Sequence, residues 1–140
     1  MRKTALVITL VAAAAAFTWA NAATVAYKAN LAGAAEVPPV QSTGKGTAQV
    51  NVDTATKQAT WRVEYTGLSG PAAAAHIHCG AAAGANAGVA VPLGDKFDSP
   101  IAGSATMTDA QLADLQAGKC YVNVHTAANK GGEIRGQLAP

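Results

Sequence analysis

The chain has 140 residues, enough for one buried core and too few for two. Ten Lys and Arg stand against eight Asp and Glu, and without Arg2 and Lys3 in the leader the balance is eight against eight. That neutrality excludes the basic footprint of a nucleic-acid binder and the polybasic run of a membrane-surface protein.

Residues 1–22 carry the three parts of a secretory signal peptide. Arg2 and Lys3 make the positive start, Ala5 to Phe17 is an apolar run broken only by Thr9, and Ala20-Asn21-Ala22 supplies the small residues of a cleavage site. A spanning helix needs about 20 apolar residues, so the run is too short for an anchor. Cleavage after Ala22 is expected, leaving a mature domain over 23–140, without a transmembrane segment, in the periplasm or the medium. Two cysteines, Cys79 and Cys120, lie in that domain. In an oxidising compartment the even count favours a disulfide; two free thiols, or a thiolate bound to metal, are the other readings.

The domain reads as β in chain order. Val25, Tyr27, Ala29 and Leu31 alternate with polar or small residues, as do Val50 and Val52, and then Trp61, Val63 and Tyr65. The Pro38-Pro39 pair between the first two runs marks a connection, because proline cannot donate to a sheet ladder. Ala74 to Cys79 forms a fourth strand, followed by Gly80 to Gly88, which is almost all Ala and Gly and is expected to be a flexible loop. Val89 to Leu93 and Ala102 to Met107 are weaker strands. Thr108 and Gln111 fit a capping box, Leu112 and Leu115 share a helix face, and Gly118 suits the left-handed position after the last turn. This one short helix is expected to cover one end of the fold. Lys119 to His125 and Glu133 to Leu138 complete the strands. The sum is an all-β antiparallel fold, a Greek-key-like sandwich or barrel with one short helix.

All three histidines fall in two of these runs. Side chains alternate along a strand, so His76 and His78 share one face while Ile77 and Cys79 share the other. In the later run Cys120, Val122 and Val124 share the apolar face and Tyr121, Asn123 and His125 the opposite one. If the strands are neighbours, the cysteines meet on one side and three imidazoles gather on the other. Three imidazoles make a nitrogen-rich site with one open position, suited above all to copper, with zinc as the alternative. Tyr121 and Asn123, on the same face, are expected to orient an imidazole through its second nitrogen. Ser42, Ser69, Ser99 and Ser104 lie in no nucleophile-elbow context, and no phosphate-binding loop or dinucleotide fingerprint is present. No catalytic residue is assigned. Glu133 and Arg135 share a strand face and are expected to pair at the surface.

Four segments carry a resemblance: residues 31–40 (Leu31 to Val40), Ala75-His76-Ile77-His78, residues 121–126 (Tyr121 to Thr126), and residues 132–138 (Gly132 to Leu138). Together and in this order they resemble the CHRD domain, a module found in the animal protein chordin and in exported bacterial proteins. The resemblance spans about residues 24–138 and implies an all-β extracytoplasmic module with no agreed activity. More distantly, His76, His78 and His125 are similar to the copper ligands of the copper/zinc superoxide dismutase sandwich. The bridging histidine and the zinc ligands of that enzyme have no counterpart here. The expected function is thus an exported CHRD domain binding one transition metal ion through His76, His78 and His125. A metal-free adhesion or matrix module and a dismutase-like copper oxidoreductase are the alternatives, and the protein partner is left unknown.

Overall fold

A computed structural model describes residues 23–140; the leader assigned to residues 1–22 lies outside the described residues. The elements are β1 (Thr24–Ala32), a 3-10 turn (Gly33–Ala35), β2 (Lys45–Asp53), β3 (Gln58–Thr66), β4 (Ala72–Cys79), β5 (Val89–Pro92), β6 (Ile101–Thr106), α1 (Asp109–Gln116), β7 (Cys120–Thr126) and β8 (Ile134–Gln137). Eight antiparallel strands form one sheet in the order β5-β4-β7-β8-β1-β2-β3-β6. The long connections β3 to β4, β5 to β6 and β6 to β7 join strands that are not neighbours, which is Greek-key-like connectivity.

The sheet curls into a nearly closed barrel, because every strand sends its inward residues to one core. Tyr27, Ala29 and Leu31 come from β1, Val50 and Val52 from β2, Trp61 and Val63 from β3, and Ile77, Val91, Ile101, Val122 and Ile134 from the rest. The strict alternation of β1, β2 and β3 survives as alternate buried and exposed positions. In β7 it does not: all seven residues are buried. Its outward side is covered by loops, and that is where the histidines lie.

The helix forms as its caps predict. Thr108 Oγ1 accepts the Gln111 N–H at 3.2 Å while Gln111 Oε1 accepts the Thr108 N–H at 2.8 Å. Gly118 follows the Ala117 cap with φ +71°. Leu115 is buried in the core, and Gln111 Nε2 donates to the Ala90 carbonyl of edge strand β5, covering one of the two sheet edges.

The Gly80–Gly88 segment departs from expectation. Instead of a flexible loop it is tied down at successive positions. Arg135 donates to the Ala85 carbonyl at 2.7 Å and to Asn86 Oδ1 at 3.0 Å, Asn86 Nδ2 donates to the Val37 carbonyl at 2.8 Å, and the Ala87 N–H donates to the Tyr121 hydroxyl at 3.2 Å. The partners are remote in sequence, so local composition carried no sign of them.

Candidate metal centre

Strands β4 and β7 are antiparallel neighbours with Cys79 opposite Cys120, His78 opposite Tyr121, His76 opposite Asn123 and Ala74 opposite His125. This register puts Ala75, Ile77, Val122 and Val124 into the core. The cysteines, with Cα atoms 4.2 Å apart, are joined in a disulfide, which removes both free thiols and the thiolate-ligand reading. Such a bond belongs to oxidising surroundings outside the cytoplasm. No helix among the described residues is long and apolar enough to cross a membrane.

The opposite face carries His76, His78, Tyr121, Asn123 and His125. Each imidazole offers a ligand nitrogen within 4.8 Å of the others. Two nitrogens on one metal ion, each bonded at about 2 Å, lie at most about 4 Å apart, so the triad must contract by under an ångström or so. His78 and His125 are each 8 % exposed and His76 is half-buried, which leaves one approach open.

Hydrogen bonds fix the ring chemistry. His78 Nδ1 lies 2.9 Å from the Ala87 carbonyl and His125 Nδ1 lies 2.9 Å from the Lys130 carbonyl. A carbonyl only accepts, so both Nδ1 atoms carry hydrogen, which in a neutral ring leaves the lone pair at Nε2. This is the tautomer a metal ligand needs, with the second nitrogen held by a carbonyl. His125 Nε2 lies 3.0 Å from His76 Nδ1. Burial lowers the His76 pKa below the ordinary imidazole value, and the neighbouring His125 and His78 lower it further. Burial also lowers that of His125, with His78 adding to the effect, against the Lys130 carbonyl bond that favours the charged ring. Both are therefore neutral, and able to ligate, at pH 7.

Asn123 and Tyr121 take other positions than a bond to the second nitrogen. Backbone carbonyls occupy that nitrogen in His78 and His125. Asn123 Oδ1 instead faces Nε2 of His78 at 3.0 Å. The Tyr121 ring stacks on His78, 3° from parallel with centroids 4.8 Å apart, and the Arg135 guanidinium lies 3.4 Å above the centre of the Tyr121 ring.

The expected surface pair of Glu133 and Arg135 does not form, because both are buried and each has other partners. Glu133 is fully buried and accepts five hydrogen bonds: from Ser42 Oγ, the Ser69 N–H and Oγ, Thr126 Oγ1 and Asn129 Nδ2. Burial alone would raise its pKa, but the Ser69, Thr126 and Ser42 bonds outweigh it and bring the carboxyl to about 2. A further residue, Glu36, was missed entirely. It follows the 3-10 turn, is 5 % exposed, and lies beside Asn123 and Arg135. Burial pushes it up to about 7, against the lowering pull of Arg135, Asn123 and the Val37 backbone. Only parity gave any signal for this outer layer: Arg135 pairs with Asn123 across β7 and β8.

A family model of the CHRD domain matches residues 27–138. No curated protein and no solved structure matches the chain. The match begins at Tyr27 in the first strand and ends at Leu138 just beyond the last, so it takes in the barrel from the fourth residue of β1 onward, the three histidines and both buried glutamates. The chain belongs to the CHRD domain family.

Proposed function

We propose that this chain is an exported CHRD-domain protein that holds one transition metal ion through His76, His78 and His125, with copper as the preferred ion. One observation carries the reading: three imidazoles converge within 4.8 Å while carbonyls hold the far nitrogens of two of them. Nitrogen donors favour copper(II) over the other common divalent ions, zinc included. Export through the leader 1–22 and a mature domain over 23–140 complete the proposal, supported by the disulfide, which an oxidising compartment preserves.

A metal-free matrix or adhesion module is the second reading. It is favoured by the contact of His76 Nδ1 with His125 Nε2 at 3.0 Å, a hydrogen bond that engages two of these nitrogens without any ion. Metal analysis of protein purified without a histidine tag, followed by copper(II) calorimetry, separates the two. One equivalent of copper in the native protein, lost in the triple variant His76→Ala, His78→Ala, His125→Ala, is the expected result. Equal copper affinity in the wild type and the triple variant would remove the metal site and leave the matrix module standing.

A further inference from the structure

Asn123 is held in an orientation that the three histidines do not explain. Its Nδ2 lies 3.5 Å from the Gly131 carbonyl and is turned to the Glu36 carboxyl. Both side chains converge on the bare Cα of Gly132. A Cβ there would collide with Glu36 Oε1 and would lie 2.6 Å from Asn123 Nδ2, and the residue has φ +126°. Amide nitrogen and oxygen have the same shape, so their assignment rests on partners. Two oxygen acceptors stand on one side of this amide, so its nitrogen belongs there and Oδ1 belongs on the His78 side.

The His78 side is equally constrained. Nδ1–H is committed to the Ala87 carbonyl, so Nε2 is the ring nitrogen left for another partner. Asn123 Oδ1, an acceptor, stands 3.0 Å from it. Either a hydrogen on Nε2 or a cation bound by both atoms satisfies this pair, and the spacing fits the second. The same spacing recurs across the site, where His125 Nε2 and His76 Nδ1 are also 3.0 Å apart. Adjacent donors of a tetragonal ion with bonds of about 2.0–2.1 Å lie about 2.9 Å apart. The two pairs, one from His76 and His125 and one from His78 and Asn123, each have the spacing of one edge of such a square.

We propose that Asn123 Oδ1 is the fourth donor of the metal centre, which makes the ion's equatorial set three nitrogens and one oxygen. This rests on the reading of the three imidazoles as a metal site. Glu36 and Gly131 are then positioning residues: they hold the amide nitrogen away so that the oxygen faces the ion. Glu36 Oε1, buried and without a hydrogen-bond partner, is the free acceptor on that side. An amide oxygen is a harder donor than imidazole, in keeping with a copper(II) or zinc ion rather than copper(I). A position left open for water or a small ligand would lie on the side where His76 is half-exposed.

The test is copper(II) calorimetry and electron paramagnetic resonance on the full mature chain, comparing the wild type with Asn123→Leu and Asn123→Asp. Asn123→Leu, of similar size and without a donor, is expected to lose on the order of 10- to 100-fold in affinity and to change its copper hyperfine splitting. Asn123→Asp keeps an oxygen on the ion side but loses the amide hydrogens turned to Glu36 and Gly131, and is expected to recover most of the affinity that Asn123→Leu loses. It also controls for any folding defect in the leucine variant. A leucine variant with wild-type affinity and spectrum would overturn the assignment while leaving the histidine site intact. Tight binding lost in Asn123→Leu and not restored in Asn123→Asp would overturn it too. Absence of copper binding by the wild type would instead sink the underlying metal reading.

Discussion

Glu36 and Glu133 are both carboxyls removed from water on the outer side of the barrel, and they are driven in opposite directions. Glu133 sits near 2 and Glu36 near 7. Burial raises both, so burial does not account for the difference. The supply of donors does. Glu133 collects five hydrogen bonds from the end of β7 and the loops after β1, β3 and β7, whereas Oε1 of Glu36 has none and the cation acting on it, Arg135, spends its hydrogen bonds on Ala85 and Asn86. A carboxylate solvated by protein donors is a structural tie. One left short of donors keeps its proton to higher pH.

The largest expected effect follows from the tie. Glu133→Ala leaves the Ser42, Ser69, Thr126 and Asn129 donors without an acceptor in a buried place, at a cost of about 3–5 kcal/mol in denaturant unfolding. A loss under about 1 kcal/mol would show that the loops hold themselves together without it. The same residue sets acid behaviour. Its folded pKa is depressed from the ordinary carboxyl value of 4.5 to about 2, so its contribution is complete above 4.5 and is lost as pH falls from 4.5 towards 2. Thermal melts across that range should show the wild type weakening steeply and Glu133→Gln, which is less stable throughout, weakening less.

The contrast also marks what could be read without coordinates. Strand alternation placed β1, β3, β4 and β7, and shared parity brought His76, His78 and His125 to one face, because a period of two is a local property of the chain. The capping box placed α1 for the same reason. The outer layer was not legible. Glu133, Arg135 and the Gly80–Gly88 segment looked like surface because the parity rule says which face a side chain takes, not whether loops later cover that face. Residues 80–88, 126–133 and 33–40 do cover it, and their hydrogen-bond partners lie tens of residues away in sequence. Backbone carbonyls that fix the imidazole tautomers, at Ala87 and Lys130, leave no trace in residue type at all.

Glu36 should give the next largest effect and the opposite sign. Its folded pKa is raised above 4.5 to about 7, so the folded state binds the extra proton between these values. Its favourable contribution is complete below 4.5 and disappears as pH rises through 7. Glu36→Gln removes the ionisation, so the variant should gain on the wild type by about 2 kcal/mol at pH 8, with the gap closing below pH 4.5. Parallel stability curves for the two proteins from pH 4 to pH 8 would mean that the carboxyl keeps an ordinary affinity for protons. They would also erase the distinction from Glu133.

The smallest effect on folding should come from the site itself. His78 projects away from the apolar core, and its ring touches Tyr121, the Ala87 carbonyl and Asn123 rather than the packed side chains around Ile77. His78→Ala opens a polar gap that water can enter and that leaves two acceptors to be solvated, at a cost of about 1 kcal/mol in the metal-free protein. Copper affinity should nevertheless fall by on the order of 100-fold or more, since one of three imidazoles is gone. The outcome to measure is therefore a pair: a near-native unfolding midpoint without metal, and the loss of the midpoint rise that copper gives the wild type by binding only the folded state. A variant that lost several kcal/mol without metal would place His78 with Glu133 among the structural ties, and the line between the two kinds of buried polar group would then run elsewhere.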